Sequence, residues 1–348
     1  MSPYVLAAFL ISLGLGTTIT FASSHWLFAW MGLEINTLAI IPIMAQHRHP
    51  RSIEATTKYF LTQATAAALL LFAGLTNAWI TGQWSIDQML HPLSTTLVTI
   101  ALMLKLGLAP FHMWLPDVLQ GIDLTTGLVL STWQKIAPFI ILLQINFQSP
   151  MMLIIIGLIS TLVGGWGGFN QTQLRKVMAY SSIAHLGWMI IVLQFSPSLT
   201  LLALLTYIIM TSAAFMALKL NNTTSIGRLA TAWTYAPAMA ALVPLIMLSL
   251  GGLPPLSGFL PKWLIIQELT KQALPLTATL AALSALFSLY FYLRLTYNSA
   301  LIISPNNSPP TVMWRLSPGK VTLVVATFTS MTMMLLPLSP LATTIADL

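Results

Sequence analysis

Four charged residues lie inside apolar stretches of about twenty residues: Glu34, Lys105, Lys135 and Lys262. A charge at bilayer depth costs roughly 2.5–3.5 kcal/mol on insertion scales, so such residues face the protein interior and commonly mark an ion pathway. The alternative is a buried ion pair with two lysines that extend to the membrane surface. Lys105 and Lys135 lie about ten residues from either end of their stretches, too deep for that extension. The pattern favours a proton path in which Glu34 and Lys105 form a switchable pair.

Two histidines extend this set of ionisable residues. His112 lies in a proline-rich part of the fourth apolar stretch, and His185 lies in the middle of the seventh. Imidazole changes its charge near neutral pH and is therefore a suitable proton carrier. A lone histidine on an apolar helix is more often a hydrogen-bonded packing residue, and this alternative stays open. In company with three lysines, we expect His112 and His185 to carry protons.

The elements that must position these residues are membrane helices. Only 6% of the 348 residues are charged and 57% are hydrophobic, whereas soluble domains carry about a quarter charged residues. A soluble fold is therefore excluded, and apolar stretches of helix length predict an all-α polytopic membrane protein. Eleven spans are predicted, at residues 3–22, 25–45, 57–80, 94–120, 125–145, 150–168, 175–194, 199–219, 237–270, 273–296 and 320–340. The chain has no cysteine, which excludes thiolate-held iron–sulfur clusters, and we predict no metal or cofactor site in it.

The basic residues predict the orientation of the spans. If the N-terminus is placed inside, ten of the 14 Lys and Arg residues fall in inner loops, Lys271 alone falls outside, and three lie within spans. Basic residues of short loops stay on the untranslocated side of the membrane. The sequence therefore predicts an inner N-terminus and an outer C-terminus, and the net charge of +7 indicates orientation rather than nucleic-acid binding.

Two of the predicted spans contain proline-rich interruptions. The fourth includes KLGLAPFHMWLPD at 105–117, and the ninth includes LSLGGLPPLSGFLPK at 248–262. Prolines break helices, and exposed backbone at that depth must be buried by protein or lined by water. Each broken span is the fourth of five, so we expect inverted five-helix repeats at 1–148 and 149–298. Residues 299–348 then form a linker, at 304–318, and a C-terminal helix.

Three long motifs resemble those of a known family. KLGLAPFHMWLPD at 105–117, RKVMAYSSIAHLGWM at 175–189 and GLPPLSGFLPKW at 252–263 resemble the antiporter-like membrane subunits of respiratory NADH:ubiquinone oxidoreductase (complex I). The resemblance covers essentially the whole chain, in the shortened animal form that lacks the first three of fourteen bacterial helices. It implies that Glu34 and Lys105 match the family's glutamate–lysine pair, Lys135 its central lysine, and Lys262 the lysine of the second broken helix. His112 and His185 fall inside the matching motifs.

The resemblance also implies a setting. NADH, FMN, iron–sulfur clusters and ubiquinone are expected in other subunits of the complex. Partners are expected to be those subunits, above all neighbouring antiporter-like ones, and phospholipids including anionic lipid, with no nucleic acid. The location implied is the mitochondrial inner membrane, with the N-terminus on the matrix side and the C-terminus on the intermembrane-space side.

The function predicted is therefore proton translocation as a membrane-arm subunit, coupled to electron transfer from NADH to ubiquinone. A stand-alone cation/proton antiporter is the alternative. A third interpretation is a structural subunit whose buried charges fix the register of its helices.

Overall fold

The computed structural model describes residues 2–46, 49–89, 91–147, 150–234, 237–302 and 322–338. In these ranges the regular structure is helical, apart from two isolated β-bridges. The α-helices there are α1 (Pro3–Ala22), α2 (Trp26–Met44), α3 (Pro50–Thr81), α4 (Pro92–Leu106), α5 (Trp114–Gly121), α6 (Leu124–Ser131), α7 (Trp133–Gln144), α8 (Met151–Gly167), α9 (Leu174–Val192), α10 (Pro197–Leu220), α11 (Ile226–Ala230), α12 (Pro237–Gly251), α13 (Phe259–Lys271), α14 (Pro275–Tyr297) and α15 (Thr322–Met334). The all-α class predicted from the sequence is confirmed.

Six helical stretches of the described residues are long and apolar enough to cross a membrane. They are Pro3–Ala22, Trp26–Met44, Pro50–Thr81, Leu124–Gln144, Pro197–Leu220 and Pro275–Ala300. Shorter apolar helices are Pro92–Leu106, Met151–Gly167, Met239–Gly251 and Leu323–Met334. The chain is therefore a multi-pass membrane protein, and the full number of eleven spans stays a prediction.

The chain divides into two compact units, Met1–Met152 and Leu153–Leu348. In the first unit α1 packs on α2, and α3 packs on α4 and α5. In the second unit α12 packs on α14, and α15 packs on α10 and α12. The predicted domain bounds stay predictions. The predicted linker at 304–318 lies outside the described residues.

Polar caps and prolines define where the helices begin. Proline occupies the first turn of α1, α3, α4, α10 and α14, where its missing N–H costs no hydrogen bond and its φ suits a helix. His25 and His49 are the N-caps of α2 and α3. Their Nδ1 atoms accept hydrogen bonds from the backbone N–H groups of Leu27 and Arg51, two residues further along the chain, at 3.2 Å. These two loop histidines therefore have a structural use.

Glycine pairs allow close helix crossings in each unit. A Cβ on Gly16 would lie 2.9 Å from the carbonyl oxygen of Gly32, and one on Gly32 would lie 2.8 Å from that of Gly16, so α1 and α2 meet at this pair. Helices α8 and α9 meet in the same way. A Cβ on Gly157 would lie 3.0 Å from the carbonyl oxygen of Gly187, and one on Gly187 would lie 2.8 Å from that of Gly157. In a membrane, helices associate through such close packing rather than through the hydrophobic effect.

Each unit also contains one short antiparallel β-bridge. His25, just before α2, pairs with Ser85, which follows α3. Gln173, just before α9, pairs with Ser225, which follows α10. Each bridge therefore ties the start of one helix to the end of the next.

Candidate functional site

The fourth predicted span is broken in the first unit between α4 and α5. Its α4 part ends at Gly107, which adopts a left-handed conformation with φ 74° and donates its N–H to the carbonyls of Met103 and Leu104. Trp114, the first residue of α5, donates its Nε1–H to the same Leu104 carbonyl at 3.1 Å. The break therefore brings Lys105, in the last turn of α4, to the edge of an irregular segment.

Lys105 is buried near Glu34 but is not hydrogen bonded to it. Its side chain is 7% exposed, and among the described residues its Nζ has no hydrogen-bond partner. Glu34, on α2, is close enough to act on it electrostatically. The Glu34 carboxylate instead accepts from the hydroxyl of Thr37 at 3.0 Å. The two charges thus interact across a gap.

A cavity of about 20 Å³ lies beside Lys105 in the first unit. Its polar lining comprises Asn36, Thr37, Tyr59, Gln63, Lys105, Gln134 and Lys135. A cavity needs roughly 10–15 Å³ to hold one water molecule that has polar partners. The structure therefore places Lys105 and Lys135 around a space of the size of one water.

Lys135 reaches this cavity from α7 and is 3% exposed. The fifth predicted span is interrupted just before it, at Thr132 between α6 and α7. The hydroxyls of Ser131 and Thr132 both donate to the carbonyl of Leu128, at 3.1 and 2.7 Å. Such back-bonding competes with the helical pattern, and this interruption was not expected from the sequence.

His112 lies within the first break. Its side chain is buried and hydrogen bonded to the backbone of Pro110. His112 lies in the irregular segment that follows Lys105. It does not line the cavity beside Lys105 and Lys135.

Lys262 belongs to the second unit, and unlike Lys105 it is hydrogen bonded to the backbone at its break. This break lies between α12 and α13, and Gly252 begins it with φ 83°. The Lys262 ammonium, on α13, donates to the Gly251 carbonyl at 2.7 Å. A broken helix leaves carbonyls without intrahelical partners, so the break supplies the acceptor that holds this buried charge.

The C-terminal helix also contacts the second break. Ser257 donates its hydroxyl to the carbonyl of Thr332, on α15, at 2.6 Å. Both residues are buried. Helix α15 therefore takes part in fixing the irregular segment that precedes Lys262.

His185 lies in a buried cluster of hydroxyl groups on α9, α10 and α14. Its ring centroid is 5.7 Å from that of Tyr207. The Tyr207 hydroxyl is hydrogen bonded to Ser182, and the Tyr292 side chain interacts with Ser181. The two tyrosines were not identified from the sequence, because an uncharged aromatic residue in a span is unremarkable. The polar run around His185, with two adjacent serines, is the signal that pointed to this place.

Ligands for a metal ion are not gathered in the described part of the chain, where no group of three or more His, Asp or Glu could hold one. The titratable and hydroxyl side chains described above include lysine, glutamate, imidazole, serine and tyrosine groups within apolar helices. Side chains of these types can take up and release protons.

Comparison with known proteins matches two family models to the chain. The NADH:quinone oxidoreductase/Mrp antiporter membrane model covers residues 23–288, and the model for the NADH dehydrogenase subunit 2 C-terminus covers residues 289–343. The NADH-ubiquinone oxidoreductase chain 2 of Salmo salar is 66% identical over 100% of both chains. That of Tetraodon nigroviridis is 65% identical over 98% of both.

Solved structures show the same fold. A chain of respiratory complex I from Thermus thermophilus with bound aureothin has a TM-score of 0.85 at 28% identity, over 96% of this chain and 78% of that one. A chain of the Mrp complex from Dietzia sp. has a TM-score of 0.82 at 15% identity, over 96% of this chain and 75% of that one. The second likeness concerns the fold alone.

Proposed function

Because this chain belongs to the NADH:quinone oxidoreductase/Mrp antiporter membrane family, in its NADH dehydrogenase subunit 2 branch, we propose that it translocates protons as a membrane-arm subunit of NADH:ubiquinone oxidoreductase. The observation that carries the proposal is the pair Lys105 and Lys135, which are buried around one water-sized cavity with Glu34 nearby. Two buried lysines at one cavity offer a donor and an acceptor for a proton.

The first step of the mechanism is electrostatic. The Lys105 ammonium has no hydrogen-bond acceptor among the described residues, so the charge of Glu34 is the main influence that stabilises it. A second charge that arrives near Glu34 and draws its carboxylate away weakens this influence. The proton then moves from Lys105 through water in the cavity to neutral Lys135.

The second unit continues the route in this proposal. Lys262 holds its proton against the Gly251 carbonyl, and His185 lies among hydroxyl groups that bond readily to water. In this proposal both residues accept and release a proton within the protein interior. The row proposed is Glu34, Lys105, Lys135 and Lys262, with His112 and His185 as further carriers.

We also propose that residues 1–148 and 149–298, which lie in the first and second units apart from a few boundary residues, are inverted five-helix repeats. Each has a β-bridge that joins the start of its second helix to the end of its third, and each has a glycine crossing of its first two helices. Gly107 and Gly252, three residues before aligned prolines, both begin a break in the left-handed conformation. Five spans in each repeat and α15 make eleven, and because five is an odd number of crossings the second repeat is inverted.

The assembled enzyme supplies the redox chemistry in this proposal. NADH, FMN, iron–sulfur clusters and ubiquinone are bound by other subunits, and neighbouring antiporter-like subunits are the principal partners. The membrane is the mitochondrial inner membrane, with the N-terminus in the matrix and the C-terminus in the intermembrane space. Anionic phospholipids bind basic residues of the inner loops, such as Arg175 and Arg228.

The proposal is tested with Lys105→Met in the assembled complex, reconstituted in liposomes. We expect NADH-driven proton uptake to be lost while the amount of assembled complex changes little. The control is Lys271→Met, because Lys271 is an exposed lysine at the end of α13. Normal uptake in the assembled Lys105→Met enzyme would contradict the proposal. Ion flux by the purified chain alone, without NADH or quinone, would instead support a stand-alone antiporter.

A further inference from the structure

The side chain of Asn36 is a buried polar group that the mechanism above does not use. It lies on α2, two residues after Glu34, and is 2% exposed. Among the described residues, neither its Nδ2 nor its Oδ1 has a hydrogen-bond partner. Buried amides normally form hydrogen bonds with protein groups or with ordered water. Because no protein group of the described residues bonds to this amide, we expect its partner to be water.

Asn36 lines the same cavity as Lys105 and Lys135. The other two amides of the lining are engaged with backbone. Gln134 donates its Nε2–H to the carbonyl of Asn36 at 3.3 Å, and Gln63 donates to that of Lys105 at 3.5 Å. The Asn36 amide and the Lys105 ammonium therefore share one small cavity, and neither has a protein partner there.

The amide of Asn36 packs closely against α1. A Cβ on Gly16 would lie 2.5 Å from Asn36 Oδ1, so the missing side chain of Gly16 makes room for the amide. On the other side, the Gln134 bond holds the backbone of Asn36. Asn36 therefore contacts both α1 and α7.

We propose, on the basis of the function proposed above, that Asn36 is a positioning residue whose amide orients the water that passes protons from Lys105 to Lys135. In this arrangement Asn36 Nδ2–H donates to one lone pair of the water. The Lys105 ammonium donates to the other lone pair and gives up its proton. The same water releases a proton from one of its O–H bonds to the neutral amine of Lys135, so one proton moves and the water is regenerated.

The test is a matched pair of variants, Asn36→Val and Asn36→Thr, in the assembled complex reconstituted in liposomes. Valine and threonine have nearly the same shape, and only threonine has a hydroxyl that can bond to water. We expect NADH-driven proton uptake per assembled complex to be about tenfold slower in Asn36→Val than in Asn36→Thr, the effect of one hydrogen bond between neutral groups at the upper end of its usual range.

The control pair is Asn77→Val and Asn77→Thr. Asn77 is also a buried amide of the first unit, but its Nδ2 donates to the carbonyls of Gln83 and Gln88 at 3.3 Å each. We expect these two variants to lower the amount of assembled complex and to pump equally per complex. A difference in pumping between them as large as that at Asn36 would overturn the assignment.

The outcomes distinguish this inference from the proposed function. Equal pumping by Asn36→Val and Asn36→Thr, with an inactive Lys105→Met, overturns the role of Asn36 alone. Normal pumping by Lys105→Met overturns the proposed function itself. A density map of the unaltered complex needs no variant: we expect water within about 3.2 Å of the Asn36 amide and of Lys105 Nζ. A cavity whose water touches neither group overturns the inference.

Discussion

The contact between Lys262 and the second break can be disturbed without removing any charge, by the substitution Gly252→Ala. Gly252 has φ 83°, a left-handed conformation. A Cβ there would lie 3.0 Å from Lys262 Nζ and 3.1 Å from its Cδ. The flexible end of the lysine has to shift by a few tenths of an ångström, which disturbs the hydrogen bond of its ammonium to the Gly251 carbonyl at 2.7 Å.

The expected cost has two parts. The left-handed conformation costs an alanine roughly 1–2 kcal/mol. Lengthening the hydrogen bond of the ammonium costs at most what such a bond to a charged group is worth, about 1.5–3 kcal/mol. Gly82→Ala provides the control, because Gly82 has φ 72° and nothing within 4 Å of its would-be Cβ. The control variant therefore bears only the first cost.

The assay compares the two variants in the assembled complex. We expect Gly252→Ala to lower the temperature of half-inactivation by more than Gly82→Ala, and to reduce NADH-driven proton uptake per complex. Gly82→Ala is expected to pump normally. Equal inactivation temperatures and equal uptake would refute the view that the break holds Lys262 in its working position.

Three further predictions concern the second unit. Lys262→Met is expected to abolish proton uptake while the complex assembles, as measured in liposomes against the amount of complex on native gels. Gly164→Ala places a Cβ 2.6 Å from the backbone nitrogen of Ala184, and such overpacking costs about 1–3 kcal/mol of stability. We therefore expect less complex to assemble, with normal proton uptake per complex. Ser257→Ala removes the bond to the Thr332 carbonyl, worth about 0.5–1.5 kcal/mol, and should lower the inactivation temperature with an unchanged ratio of protons to electrons.

Sequence patterns predict the breaks well because their cause is local. Gly107 and Pro110 in the first unit, and Gly252 and Pro255 in the second, act through conformations and missing donors that belong to those residues themselves. The structure has irregular segments between α4 and α5 and between α12 and α13.

Hydropathy is less informative where a helix extends beyond its apolar part. Hydropathy predicts that the third span begins at residue 57, but α3 begins at Pro50. Its first turns carry the exposed pair Glu54 and Lys58, whose charged atoms lie 2.8 Å apart. Because hydropathy detects lipid contact rather than helix formation, it places the start of such a helix too late.

The charged residues of the candidate site could be identified from the sequence, whereas its neutral polar residues could not. Lys105 and Lys135 are conspicuous because a charge in an apolar span is rare. Asn36 and Tyr207 became evident only when the structure showed their burial and neighbours. The gap between Glu34 and Lys105 likewise depends on how α2 and α4 pack, which spacing along the chain does not determine.

The most direct test of proton transfer through the first unit is the number of protons taken up per electron by the Lys135→Met enzyme. Lys135 is buried at the cavity, and in the proposed route it accepts the proton from Lys105. Methionine keeps the length of the side chain and removes its proton site. The assembled variant, in liposomes with NADH and ubiquinone, is expected to take up no protons. Uptake per electron equal to that of the unaltered complex would contradict the account.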